Sequence, residues 1–111
     1  CMKRVAGRIL EAHRAGHRVT VVVSAMGKTT DHLIALAREV NERPADREMD
    51  MLLSAGEQIS AAVLTMTLQG LGVDAISMTG PQAGIATDAA HTKAKIMGIS
   101  TTNINKVTGV P

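Results

Sequence analysis

The sequence predicts an α/β fold, a layered, largely parallel sheet flanked by helices. Three observations predict it. Val19 to Val23 is a nearly unbroken β-branched run, as in a strand buried on both faces of a parallel sheet. Val73 to Met78 alternates apolar and polar residues and reads as a second strand. Around them, apolar residues recur at spacings of three and four, giving the order helix, strand, helix, helix, strand.

The elements follow in order. Met2, Val5, Ile9 and Ala12 mark one face of a first helix, which Gly16 ends. After the first strand, Leu33, Leu36, Ala37 and Val40 predict a second helix, with Thr30 or Asp31 as its N-cap. N-E-R-P at 41–44 breaks it. The longest helical stretch runs from Glu48 to Leu71 and carries Met49, Leu52, Leu53, Ile59, Ala62, Val63 and Met66. Ser54-Ala55-Gly56-Glu57 inside it predicts a bend or a restart, and Gly70 and Gly72 close it. T-G-P-Q-A-G at 79–84 is a turn-rich loop. Ile85 to Thr87 with Ala94 to Met97 predicts a short hairpin, and Thr101 to Val107 a last helix. Two core strands are fewer than a layered sheet normally has. Residues 1–111 therefore read as one incomplete domain, and the start at Cys1 and the end at T-G-V-P point the same way.

Composition excludes several functions. With 45% hydrophobic and 20% charged residues, the chain has the profile of a globular domain and not of a disordered one. It has no aromatic residue, so the core must rest on aliphatic side chains and seven methionines. The same absence removes the stacking platforms of single-stranded nucleic-acid binders. Lys3, Arg4, Arg8, Arg14 and Arg18 are opposed only by Glu11, which reads as a solvated helix face, and nucleic acid is excluded as the main partner. No apolar run is read as long enough to span a bilayer, and no signal-peptide core follows the charged N-terminus, so no membrane partner is expected. The single Cys1 cannot form an internal disulfide, which fits a cytoplasmic protein.

S-A-M-G-K-T-T at 24–30 follows a strand and leads into a helix, the order of a phosphate-binding P-loop. The full signature, G-x-x-x-x-G-K-[ST], needs a glycine where this chain has Val22, so that reading fails. Ligands of open α/β sheets bind beyond the carboxyl ends of the strands, where this loop and Thr79 to Gly84 both fall. The second loop carries no charge, which makes the first the better candidate. Ser24, Thr29, Thr30 and nearby backbone N–H groups suit an anion at a helix N-terminus, or simply form a turn capped by Thr30. Glu57 is also open to two readings. Ser54-x-x-Glu57 ahead of Ile59, Ala62 and Val63 is a capping box, while a carboxylate at a helix break could hold an ammonium group. Asp88 and His91 supply two metal ligands where zinc wants three, and His13, His17 and His32 fall on helix or turn surfaces. No nucleophile elbow accompanies them, so neither a metal site nor a Ser-His-Asp triad is expected.

Three segments read together carry a resemblance. V-V-V-S-A-M-G-K-T-T-D-H-L-I-A-L-A, R-E-M-D-M-L-L-S-A-G-E-Q-I-S and L-G-V-D-A-I-S-M-T-G-P-Q-A-G-I-A-T-D resemble the bacterial, lysine- and threonine-pathway aspartate kinases, in their order and spacing. The likeness runs from about Val5 to Ile104. It implies the amino-acid-kinase, carbamate-kinase-like fold. It also implies transfer of the ATP γ-phosphate, with Mg, to the side-chain carboxylate of L-aspartate, the first step of lysine, threonine and methionine biosynthesis. By this resemblance Ser24 and the Thr29–Thr30 pair match the loop that holds aspartate, and Glu57 matches the glutamate at its amino group. The family's K-F-G-G-T-S motif would precede Cys1, and its R-G-G-S-D loop, nucleotide half and ACT domains would follow Pro111. Catalytic, ATP-binding and Mg-binding residues are therefore expected outside this chain, which alone should be inactive. The family's H-G-N-A-R-I reads His91-Thr92-Lys93-Ala94-Lys95-Ile96 here. With strand neighbours missing, association is expected, as a homo-oligomer or with the rest of the domain. Two alternatives stand beside this reading: a related kinase acting on another carboxylate such as glutamate, and a non-catalytic α/β binding or assembly module.

Overall fold

Apolar residues at helical spacing build most of the chain. In the computed structural model, which describes residues 2–89 and 95–108, α1 spans Met2–Arg14 and α2 Gly27–Val40. α3 spans Asp46–Gly70, followed by the short α4 at Gly80–Ala83, then β1 at Ile85–Thr87, β2 at Ile96–Ile99 and α5 at Thr102–Thr108. α3 is the spine, with α1 and α2 both packed on it. Ala6 of α1 meets Leu64 and Leu68 of α3 and Val73 just beyond it, and Val23 and Ala75 pack against that cluster. The shortest dimension of the molecule is 14 Å, little more than the roughly 10–12 Å diameter of one helix. The core is correspondingly thin.

Val19–Val23 and Val73–Met78 form neither helix nor strand, and neither segment joins a ladder among the described residues. Their inner residues, Val23 and Ala75, reach the core, whereas Val22 is 94% and Ile76 64% exposed. A β-branched, alternating pattern favours extended backbone; a strand also needs a neighbour to accept its hydrogen bonds. Instead of pairing, the two segments flank a groove of about 1160 Å³ over α3. The expected parallel sheet is thus absent among the described residues. Their one ladder is the antiparallel hairpin, with Ile85 opposite Ile99, Ala86 opposite Gly98, and an irregularity before Thr87. It follows the expected pairing, although β2 lies at 96–99 and Ala94 falls outside the described residues.

Helix starts and continuity also differ from expectation. α2 begins at Gly27 with Met26 as N-cap and no side-chain capping bond, so Thr30 and Asp31 lie inside the helix. Apolar periodicity could not reveal its first turn, Gly27 to Thr30, which contains no apolar side chain. α3 runs unbroken through Gly56, without a restart, because that glycine is buried under α2, and packing outweighs its poor helix propensity. Ser54 is consequently mid-helix, its hydroxyl donating to the Met51 carbonyl at 2.9 Å. The Ser54–Glu57 capping box does not form. A capping box occurs instead at α4, where the Thr79 hydroxyl accepts from Gln82 N–H at 3.3 Å and Gln82 Oε1 accepts from Thr79 N–H at 3.0 Å.

Continuity changes a second reading. α3 has 25 residues and an 18-residue window of mean hydropathy 1.3, long and apolar enough by length and composition to cross a membrane. Dividing the stretch at Gly56 and Glu57 had hidden that length. Only 22% of the window is buried within this structure. Beyond the last helical residue, Gly70, the turn at Gly72 has a φ of 82°; Gly72 N–H reaches the Gln69 carbonyl and Val73 N–H that of Leu68.

Gly84 has the tightest backbone environment. Its φ is 98°, and a Cβ there would collide with the carbonyl oxygen of Ser100, whose N–H donates to the Gly84 carbonyl at 2.8 Å. Gly84→Ala combines that collision with left-handed strain of about 1–2 kcal/mol. We expect a lower melting temperature and lost hydrogen-exchange protection at Ser100. An unchanged exchange rate there would contradict this geometry.

Candidate functional site

Gly56 makes the site possible. A Cβ on it would lie 3.2 Å from Thr29 Cγ2 and 3.3 Å from both Ala25 Cβ and Leu33 Cδ1. A side chain larger than alanine's would hold α3 away from the loop entering α2. With only hydrogen at 56, the backbone of α3 rests on that loop, and Glu57 follows directly on the groove side. Ser24 immediately precedes the contacting Ala25, and Thr30 follows the contacting Thr29. The four expected site residues thus lie on or beside the α2–α3 contact. Ser24 and Glu57 are exposed, and Thr29 and Thr30 are half-buried.

The chemistry has two poles. Residues 24–26 lead into the N-terminus of the 14-residue α2, and its Met26 cap supplies no side-chain acceptor. Thr29 N–H bonds the Met26 carbonyl at 2.9 Å. The N–H groups of Gly27 and Lys28, ahead of it, have no acceptor within the helix. The helix dipole, the exposed Lys28 and the hydroxyls of Thr29 and Thr30 make this end attractive to an anion. Glu57 supplies the opposite sign, and it has no hydrogen-bond or ion-pair partner among the described residues. Glu57 lines the groove, whereas Ser24, Thr29 and Thr30 do not, and the two poles are linked through the contact of Gly56 with Thr29.

The uncharged second loop, which charge alone had set aside, also reaches the groove. Thr79, Gly80 and Pro81 line it together with Glu57. Gly56 went unnoticed as a site residue. Its only signal was an isolated glycine inside a helical pattern, which often has a packing reason. Among the described residues, no three His, Cys, Asp or Glu side chains come together to hold a metal. His91 and the segment up to Ala94 lie outside the described residues, so the His91–Ile96 motif and the Asp88–His91 pair are not placed.

With this geometry in view, a sequence profile of the Amino acid kinase family matches residues 1–108. The chain belongs to that family. It is 52% identical to an aspartokinase of Geobacillus stearothermophilus over 105 residues, covering 95% of this chain and 26% of that protein. It is 50% identical to aspartokinase 2 of Bacillus subtilis over 100 residues, covering 90% of this chain and 24% of that protein. The chain therefore spans about a quarter of the length of these relatives. An aspartate kinase structure from Synechocystis superposes with a TM-score of 0.69 at 49% identity, over 76% of this chain and 14% of that one. This likeness supports the family fold for the helices and loops described above.

Proposed function

We propose that residues 1–111 form the substrate-side part of an aspartate kinase catalytic domain. The observation that carries this reading is the close contact at Gly56, with Thr29 of α2 against α3 and Glu57 next in sequence. In the parent enzyme, Ser24, Thr29, Thr30 and the α2 N-terminus hold carboxylate oxygens of L-aspartate, and Glu57 takes its ammonium. Phosphoryl transfer depends chiefly on positioning and charge stabilisation, so fixing the amino acid at both poles is this part's contribution.

Val22 stands where a phosphate loop would need glycine, so residues 24–30 are not read as a P-loop. Triphosphate, metal and the remaining catalytic groups are assigned to the rest of the parent. There, pairing with neighbouring strands would make Val19–Val23 and Val73–Met78 core strands of the layered sheet. A cytoplasmic homo-oligomer serving lysine, threonine and methionine biosynthesis completes the proposal.

The test is a substrate panel on the full-length parent, following ADP release with L-aspartate, L-glutamate and an aspartate analogue lacking the amino group. Aspartate should turn over fastest, and the analogue should suffer mainly in KM. A preference for glutamate would reassign the substrate. No ADP release with any acceptor would favour a non-catalytic module.

A further inference from the structure

The turn at Thr79–Pro81 is held on the groove by side-chain amides. Ahead of it, Gln69 at the end of α3 donates its amide N–H to the Ala75 carbonyl at 3.2 Å. A ladder neighbour would supply several such bonds to segment 73–78; here Gln69 supplies one. Within the turn, Gln82 closes the α4 capping box, its Oε1 accepting from Thr79 N–H at 3.0 Å. Beyond it, Asn103 of α5 donates its amide N–H to the Gln82 carbonyl at 2.7 Å, across 21 residues of chain. A backbone carbonyl only accepts, so the nitrogen of the Asn103 amide, and not its oxygen, must face it.

The hairpin makes that last bond possible. Ser100 N–H donates to the Gly84 carbonyl at 2.8 Å and Ile85 stands opposite Ile99, so the chain leaves α4 and returns beside it. α5 then starts at Thr102. Its Ile104 and Val107 line the groove together with Glu57, Thr79, Gly80 and Pro81. A helix of four residues cannot sustain itself. The place of α4 is therefore set by its cap and by the bond from Asn103.

We propose that Asn103 is a positioning residue of the amino-acid site: through Gln82 it fixes the Thr79–Pro81 turn, the part of the groove wall that shares the lining with Glu57. Neither Gln82 nor Asn103 lines the groove, so both act through the turn and not on the substrate. The inference rests on the substrate reading of Glu57. It makes the hairpin and α5 part of the site's framework, because a wall displaced by about 1 Å is enough to loosen a bound amino acid.

Asn103→Asp in the full-length parent tests it. The residue is exposed and the replacement isosteric, so the fold should hold. The change puts a carboxylate oxygen where the Gln82 carbonyl needs a donor. KM for L-aspartate should rise about ten-fold, with KM for ATP and the melting temperature unchanged. Gln82→Ala, which removes the capping box, should raise KM for aspartate in the same way. Gln82→Glu, an accepted capping-box partner, should recover most of that loss. An unchanged KM for aspartate in Asn103→Asp, or equal losses in Gln82→Ala and Gln82→Glu, would overturn the proposal. Glu57→Gln in the same assay keeps the two readings apart. If it raises KM for aspartate while Asn103→Asp does not, Asn103 loses its role and the substrate site stands.

Discussion

Gly56→Val in the full-length parent is expected to lower kcat/KM for aspartate about a hundred-fold, the cost of an approximately 1 Å misplacement at a site. The Cβ alone already falls 3.2–3.3 Å from three atoms of Ala25, Thr29 and Leu33. Two further methyl carbons have nowhere to go, so α2 and α3 must separate. Overpacking of this kind costs about 1–3 kcal/mol, against a few tenths recovered from helix propensity. The melting temperature should therefore fall as well. Gly56→Ala is the internal comparison. Its Cβ is tight but can be absorbed by shifts of a few tenths of an ångström, while alanine gains about 1 kcal/mol of helix propensity over glycine. Alanine should be nearly neutral where valine is not. Equal behaviour of the two variants would show that the close approach does not set the site.

Glu57→Gln separates charge from shape. Glutamine keeps the length of the side chain and has nearly the same helix propensity. No capping box is lost, because Ser54 bonds the Met51 carbonyl instead. Stability should hold. Removing the charge takes away a charge-assisted bond to the aspartate ammonium, about 1.5–3 kcal/mol, or roughly ten- to hundred-fold in affinity. That loss should appear in KM for aspartate, with KM for ATP and the melting temperature unchanged. Near-wild-type kinetics with aspartate would remove Glu57 from the substrate site.

Much of this molecule was legible before its structure. Periodicity located α1, α2 and α3, and the hairpin and α5 were also expected near where they lie, because a helix bonds residue i to i−4 and a hairpin pairs near neighbours. The candidate residues Ser24, Thr29, Thr30 and Glu57 were chosen from local pattern and family likeness, and all lie on or beside the α2–α3 contact. The errors are local. Thr30 or Asp31 was expected as the cap of α2, whose first turn carries no apolar side chain. The capping-box reading of Ser54–Glu57 and the bend or restart at Gly56 were local rules applied where α3 packs on α2 as one continuous helix.

What the sequence by itself determined is therefore local: which segments coil, which extend, and which side chains carry charge. Tertiary structure alone decided that Gly56 is a contact point and not a hinge, bringing Thr29 and the flank of Glu57 together across 27 residues of chain. It also decided that Val19–Val23 and Val73–Met78 border a groove without pairing to each other. Ladder bonds and van der Waals contacts of this kind join residues far apart in sequence. Their energies depend on distances that no local pattern encodes.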